Sequence, residues 1–151
     1  MTSLARANIL ALAVPALLMA GALGSQYLGG LYPCEMCHWQ RWPHYAAIAL
    51  ALLGFATKPP ARNVAVALAA LAILTSGATG VFHAGVEYHW WAGPPCSSTA
   101  AGASLDDIMR APLIRCDMPQ WTLGPISLAG FNAIFSILGG LAVLAMVRKA
   151  R

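Results

Sequence analysis

The chain has 151 residues, of which 59% are hydrophobic and only 9% are charged. A soluble globular domain carries about 25% charged residues, so this composition excludes an ordinary water-facing surface and predicts an outer surface that mostly faces lipid. The net charge of +4 does not indicate nucleic-acid binding, because the basic residues lie at the ends of apolar runs and not in one tract. The length suits a single domain over residues 1–151.

Four apolar stretches are long enough to cross a bilayer and predict an all-α, polytopic four-helix membrane bundle. The predicted spans cover residues of about 9–27, 41–57, 63–84 and 126–147. The second stretch is short, which places its start at or just before Arg41, with Pro43 in the first helical turn, where proline is tolerated. The alternative for the first stretch is a cleaved signal peptide, but its apolar run continues beyond the small residues at 20–22.

Lysine and arginine predict the orientation of these spans. If the helices alternate in direction, six basic residues fall on one side, namely Arg6, Lys58, Arg62, Arg148, Lys149 and Arg151. Only Arg41, Arg110 and Arg115 fall on the other side. The positive-inside rule therefore places both termini in the cytoplasm. All five acidic residues and all five tryptophans then lie on the outer side.

The predicted outer loops are unequal, with a short one at 28–40 and a long one at 87–125. Loops of the second length are usually functional or disordered. Within the long loop, Ser104 and Asp107 resemble a capping box, and Leu105, Ile108 and Met109 share one helical face. This pattern predicts a short amphipathic helix on the outer surface.

Four cysteines carry the candidate chemistry, and all of them fall in the outer loops. Cys34 and Cys37 have the C-x-x-C spacing of disulfide oxidoreductases, just before a helix N-terminus that stabilises a thiolate. Arg41, four residues beyond Cys37, would lower the thiol pKa further or would only anchor the helix at the headgroups. A disulfide between Cys96 and Cys116 would stabilise the fold by about 3 kcal/mol in the chain-entropy model, so a structural role is credible. The neighbouring C-x-x-C favours instead a disulfide that exchanges with other thiols.

Two metal-based alternatives use the same motif. Residues 34–38 read C-x-x-C-H, the attachment signature of a c-type haem, and candidate axial ligands are Met36, Met118, His44, His83 and His89. A haem would leave Cys96 and Cys116 without a role, at a membrane face with no soluble domain to hold the ring. A zinc site on Cys34, Cys37, His38 and a loop cysteine lacks a second C-x-x-C or an H-x-x-H, so we predict no metal. A tetraspan scaffold with two inert disulfides is the remaining alternative.

The order of these features resembles the disulfide bond formation protein B (DsbB) family, the quinone-dependent thiol oxidases of bacterial inner membranes. The matching layout is a C-x-x-C, an arginine four residues later, a tight basic turn and a long outer loop with two cysteines. The segments 85–94 (GVEYHWWAGP) and 116–132 (CDMPQWTLGPISLAGFN) also resemble the family at the exit from the third helix and the entry to the fourth. In the related vitamin K epoxide reductase-like class the loop pair precedes the C-x-x-C, whereas here it follows.

The resemblance implies a role for each of these residues. The Cys34–Cys37 pair would be oxidised by ubiquinone or menaquinone, with the Cys37 thiolate meeting the ring and Arg41 stabilising thiolate and reduced quinone. The Cys96–Cys116 pair would oxidise a periplasmic thioredoxin-like protein of the DsbA type. Cys96 would form the mixed disulfide, and Cys116 would engage Cys34.

Histidines are the open part of the implied quinone pocket. His44 lies near the start of the second span, where an ionisable residue is a functional candidate by default. The alternative for each of these histidines is an interfacial residue without a function. His89 is our first choice for the pocket histidine known in the family, and His83 is the second. The resemblance also implies a multi-pass inner-membrane location with the cysteines facing the periplasm.

Overall fold

The computed structural model describes residues 2–96 and 114–150, and within these ranges it contains four α-helices and one short β-hairpin. The helices are α1 (Ser3–Tyr27), α2 (Glu35–Ala56), α3 (Ala61–Glu87) and α4 (Leu128–Lys149). Strands β1 (Thr122–Leu123) and β2 (Ile126–Ser127) pair antiparallel just before α4. The predicted all-α, four-helix class is confirmed. The amphipathic helix predicted around Ser104 lies outside the described residues.

Three of the helices in the described ranges, α1, α3 and α4, are long and apolar enough to cross a membrane. The remaining helix, α2, is long enough, but polar side chains crowd its first three turns, among them Gln40, Arg41 and His44. The chain is therefore a multi-pass membrane protein in which one helix brings polar groups into the bundle.

The start of α2 differs from the sequence-based prediction. The helix begins at Glu35 instead of near Arg41, because Cys34 acts as its N-cap and its sulfur accepts a hydrogen bond from the Cys37 backbone N–H. Glu35 adds a negative charge in the first turn, where the helix dipole favours it. The C-x-x-C thus straddles the first turn of α2, ahead of residue 41, where the span is expected to begin.

The half of the bundle that holds the termini is packed with small apolar residues. Its core consists of Leu4, Ala7, Ala11, Ala51, Val66, Ala69, Ala70, Val143 and Val147. Helix α3 is central and contacts the other three helices. At Gly80, a Cβ atom would lie 3.0 Å from the backbone nitrogen of Ala133, so glycine lets α3 approach α4 closely.

A second, smaller core lies at the opposite end and contains cysteines. Cys34, Met36, Val86 and Cys116 are buried there, with Cys37, Cys96 and Ile114 packed against them. The Tyr88 hydroxyl donates to the Pro125 carbonyl and accepts from the Ser127 N–H, which fixes the end of α3 to the hairpin. This end of the molecule therefore holds segments distant in sequence around one set of sulfur atoms.

Candidate thiol–disulfide site

Cys34 and Cys37 form a close pair at the N-terminus of α2. Their sulfurs lie 2.8 Å apart, and the Cys34 sulfur is 3.2 Å from the Cys37 backbone nitrogen that donates to it. Cys34 is buried, whereas Cys37 is partly accessible. The helix N-terminus supplies free N–H groups and a positive dipole end, which favour negative charge on sulfur.

The two sulfurs have opposite acid–base character. The hydrogen bond between the two side chains, together with burial, raises the pKa of the Cys34 thiol. The same hydrogen bond and, more weakly, the charge of Arg41 lower the pKa of Cys37, although burial opposes them. Cys37 is therefore the more acidic thiol of the pair, and Cys34 is the less acidic one.

The loop cysteines come to the same place. Cys96 and Cys116, 20 residues apart in sequence, form a disulfide with a Cα–Cα distance of 5.8 Å. The sulfurs of Cys34, Cys96 and Cys116 all lie within 4.8 Å of one another. Thiol–disulfide exchange needs an approach of one sulfur to another, so this arrangement lets the two pairs react directly.

The imidazole of His83 also contacts the Cys34 sulfur, in addition to Cys37 and the loop disulfide. Its Nε2 lies 3.6 Å from Cys34 Sγ, and its Nδ1 lies 2.7 Å from the side-chain nitrogen of Gln40. Glu87, one turn later on α3, has an oxygen 3.8 Å from His83 Nε2, and the Ser127 hydroxyl donates to its other oxygen. All four of these polar side chains are buried, at 8% exposure or less.

Arg41 lies between α2 and α1. Its guanidinium donates to the Gln26 side-chain oxygen at 2.6 Å and to the Ala22 carbonyl at 3.3 Å. It lines a small outer cavity with Cys34 and Cys37 and also a larger apolar cavity below them. The arginine is thus held by α1 beside the sulfur of lower pKa.

The larger cavity has a volume of about 200 Å³ and opens between α1, α2 and α4. Cys37, Arg41 and His44 line it together with the apolar side chains of Leu17 and Phe131. Such a wall suits an apolar ring that carries hydrogen-bond acceptors, because Arg41 provides donors and most of the other lining residues are apolar.

The three histidines predicted for a cofactor pocket are separated by the structure. His44 lines the apolar cavity, and its Nε2 lies 2.8 Å from Asn132 Oδ1 and 2.9 Å from the Ser76 hydroxyl. His83 faces Cys34 instead. His89 lines a surface cavity beside the loop disulfide, because α3 ends at Glu87 and the chain turns at His89 with a φ of 59°. The structure therefore does not bring His89 to Cys37 and Arg41.

Three soft ligand atoms also cluster at this site. Those of Cys34, Cys37 and His83 lie within 4.8 Å of one another. The zinc set considered from the sequence used His38, but that side chain is exposed, and His83 occupies the place beside the sulfurs. A soft metal ion could be held only with both cysteines reduced, since thiolates are the ligands.

Sequence reasoning missed the polar residues that support the site, Gln40, Ser76 and Asn132. They lie on three different helices, and Asn132 donates to Gln40 Oε1 at 2.8 Å and to the Ser76 carbonyl at 3.2 Å. A signal for them was present, since polar side chains inside apolar spans usually face the bundle interior. The sequence could not tell which of them meet.

At one end of a multi-pass helical bundle, the Cys34 sulfur of the C-x-x-C lies within 4.8 Å of both sulfurs of the loop disulfide. This arrangement defines a class, a membrane protein of thiol–disulfide chemistry. Comparison with known proteins agrees with this class. The family model described as disulfide bond formation protein DsbB matches residues 5–146. The chain belongs to the DsbB family.

A curated relative supports the same assignment. Disulfide bond formation protein B of Verminephrobacter eiseniae (strain EF01-2) is 34% identical over an alignment of 153 residues, which covers 93% of this chain and 84% of that protein. No solved structure matches the chain significantly. Family membership makes the chain a disulfide-forming membrane protein with oxidoreductase chemistry, and it favours thiol–disulfide chemistry over a c-type haem or an inert scaffold.

Proposed function

We propose that this protein is a protein-dithiol:quinone oxidoreductase of the bacterial inner membrane. It reoxidises a periplasmic thioredoxin-like protein of the DsbA type and passes the electrons to membrane ubiquinone or menaquinone. One observation carries the proposal: Cys34 lies within 4.8 Å of the loop disulfide, while its partner Cys37 lines an apolar cavity with Arg41. The C-x-x-C therefore links the loop disulfide, where electrons would enter, to the apolar cavity, where they would leave.

The path consists of disulfide exchanges that keep the number of electrons constant. A thiolate of the reduced partner attacks Cys96, a new S–S bond forms, and Cys116 leaves as a thiolate. Cys116 then attacks Cys34, and Cys37 leaves as a thiolate beside Arg41. Each step breaks one S–S bond and forms another. The lowered pKa of Cys37 suits it as the last leaving group, because a more acidic thiol leaves faster.

Quinone supplies a lipid-soluble acceptor for two electrons and two protons. The side chains around the apolar cavity fit it: the sulfur of Cys37 for contact, the guanidinium of Arg41 as a hydrogen-bond donor, and His44 in the wall. Oxidation of the partner's two thiols to a disulfide releases two electrons and two protons, so the overall reaction balances. A DsbA-type couple has a reduction potential of about −120 mV, so only a stronger oxidant regenerates its disulfide.

The proposed orientation follows the basic residues. Arg62 and Arg148 mark the cytoplasmic side, and the cysteines then face the periplasm, where disulfides persist. The protein would then oxidise its partner in the periplasm, the compartment in which disulfides are formed.

Turnover of purified protein tests the proposal. Quinone reduction is followed by absorbance after mixing with a reduced DsbA-type protein, in parallel with Cys37→Ser, Cys96→Ser and the control His38→Ala, an exposed residue next to the motif. We expect both cysteine variants to abolish turnover and the control to keep it. Absence of turnover with both ubiquinone and menaquinone analogues would contradict the proposal and leave two structural disulfides.

A further inference from the structure

The Cys34 sulfur receives a histidine contact that the exchange path above does not use. His83 Nε2 lies 3.6 Å from it, at a position where both residues are almost fully buried, with 2% of each exposed. What this contact does depends on which ring nitrogen carries the proton.

Two backbone carbonyls determine the proton's position. The Gln40 side-chain nitrogen donates to the Met36 carbonyl at 3.3 Å, and the Asn132 side-chain nitrogen donates to the Ser76 carbonyl at 3.2 Å. Carbonyls only accept, so the orientation of both amides is fixed. Asn132 then donates to Gln40 Oε1, and Gln40 Nε2 donates to His83 Nδ1 at 2.7 Å.

Neutral His83 therefore accepts at Nδ1 and carries its proton on Nε2. Three groups lie near that proton: Cys34 Sγ at 3.6 Å and Glu87 Oε1 at 3.8 Å from the nitrogen, and the backbone carbonyl of Cys116. A nitrogen–oxygen distance of that size is too long for a hydrogen bond, whereas the larger radius of sulfur makes 3.6 Å a bonding distance. Glu87 is also held through its other oxygen by the Ser127 hydroxyl. The Cys34 sulfur is thus the side-chain atom within hydrogen-bonding distance of the His83 Nε2–H, next to the Cys116 backbone carbonyl.

We propose that His83 is a catalytic residue of the exchange reaction, whose Nε2–H donates to the Cys34 sulfur and stabilises the Cys34 thiolate when Cys34 leaves its disulfide with Cys116. The inference rests on the proposed function in one respect, that Cys34 exchanges with the loop pair.

The step in which His83 acts is the departure of Cys34 from its disulfide with Cys116. The partner's second thiolate first attacks the partner's own sulfur in the mixed disulfide, so that the partner leaves oxidised and Cys96 becomes a thiolate. The Cys96 thiolate then attacks Cys116 Sγ, the Cys96–Cys116 bond forms again, and the Cys34–Cys116 bond breaks with its electron pair staying on Cys34. No proton moves, and the number of electrons is unchanged. The Nε2–H of His83 strengthens its hydrogen bond as charge develops on Cys34, because a charged acceptor roughly doubles the strength of the bond.

Other titratable and charged groups near Cys34 also influence the pKa of its thiol. The titratable and charged residues around the same small cavity are Tyr32, Cys37, Arg41, His83, Glu87 and Arg115. Cys37 has the largest influence on Cys34, through the hydrogen bond between the two side chains. The test is therefore made in a Cys37→Ser protein whose loop disulfide is intact, so that Cys34 is the only thiol left.

The measurement is the ultraviolet absorbance of the Cys34 thiolate against pH, with the Cys34→Ser, Cys37→Ser double variant as the blank. We expect His83→Leu to move the midpoint upward by about one pH unit, a tenfold lower thiolate fraction, since a hydrogen bond to a charged group has at least this effect. His83→Gln, which keeps an N–H, should stay near the parent, and so should His38→Leu. An unchanged or lowered midpoint in His83→Leu would overturn the proposal.

A second measurement needs no substitution at His83. The ¹⁵N spectrum of the histidine rings in the parent protein should show His83 protonated at Nε2 and bare at Nδ1, and the opposite tautomer would overturn the proposal. Neither experiment involves quinone or the partner. A failed turnover assay with a positive titration would therefore reject the oxidase function and leave the role of His83 at Cys34 intact.

Discussion

Cys34 and Cys37 are only three residues apart, yet their positions on α2 give them different chemistry. Cys34 sits before the first turn as N-cap, buried between His83 and the loop disulfide. Cys37 lies inside the turn and faces the cavity that contains Arg41. A helix start thus separates a sulfur that faces the loop disulfide from a sulfur that faces the apolar cavity.

The lowered pKa of Cys37 predicts its reactivity. We expect Cys37 to react with iodoacetamide at pH values below the ordinary thiol pKa of about 8.5, because the thiolate persists until the pH falls through the lowered pKa. Cys34→Ala removes the hydrogen bond that lowers the pKa of Cys37 most, so it should slow alkylation about tenfold at pH values below the ordinary thiol pKa. Arg41→Gln should slow alkylation less.

The rates are measured against pH with Cys96 and Cys116 replaced by serine, so that no exchange intervenes. Arg148→Gln, an exposed arginine at the far end of α4, is the matched control for Arg41. Identical pH profiles for Cys34→Ala and the parent would show that the pairing of sulfurs does not set the acidity of Cys37.

At the scale of elements, one amide joins three helices. Asn132 on α4 donates to Gln40 on α2 and to the Ser76 carbonyl on α3, and it accepts from His44. We expect Asn132→Leu to lower the free energy of unfolding by about 1–2 kcal/mol, because it leaves buried polar partners unpaired. Reversible unfolding in detergent measures this. Thr75→Val, whose exposed hydroxyl bonds only within α3, should change stability far less, and equal losses would contradict the role of Asn132.

Glycines at the α3–α4 contact should respond to substitution oppositely to those facing open space. A Cβ at Gly80 would lie 3.0–3.1 Å from backbone atoms of α4, so Gly80→Ala should destabilise the bundle by about 1–3 kcal/mol. A Cβ at Gly21 would meet nothing within 4 Å, so Gly21→Ala should stabilise α1 by about 0.5–1 kcal/mol. The same unfolding assay compares them, and a loss at Gly21 as large as at Gly80 would refute close packing as the cause.

How far the sequence predicts these elements depends on the range of the interaction. The C-x-x-C beside a helix start and the apolar runs are local patterns, and both predictions need only neighbouring residues. The contact between Cys34 and His83 joins residues 49 positions apart and depends on how α2 and α3 rotate about their axes. No spacing rule contains that rotation, which is why the sequence ranked His89 ahead of His83, whereas the structure places His83 beside Cys34. The start of α2 was missed because a cysteine is an uncommon N-cap.

On the scale of the whole molecule, the two ends of the bundle differ in composition. Small apolar residues close the end near the termini, whereas sulfur, imidazole and carboxylate groups fill the other. The loop cysteines reach Cys34 in the described structure, so electrons can cross from loop to helix without a further carrier.

That proximity predicts a trapped intermediate. With Cys37 and Cys96 replaced by serine, the remaining Cys34 and Cys116 should form a disulfide spontaneously, because their sulfurs already lie within 4.8 Å. Thiol counting by alkylation and peptide mapping under non-reducing conditions detect it. The complementary variant with only Cys37 and Cys96 should remain largely reduced, and an equal yield of disulfide in both would show that the exchange route is not set by this geometry.

The polar content of α2 has a consequence for how the chain enters the membrane. An arginine costs about 2.5–3.5 kcal/mol at a helix centre on the translocon insertion scale and less at the membrane face, where we expect Arg41 to lie. The polar side chains of Gln40 and His44 add to the cost of inserting α2. Their partners lie on other helices, at Gln26, His83 and Asn132. At the other end of the helix, Arg62 donates to the Gly54 and Thr57 carbonyls across the tight turn to α3. We therefore expect α2 to insert together with α3 as a helical hairpin, and to fail to insert when it is presented alone to the translocon.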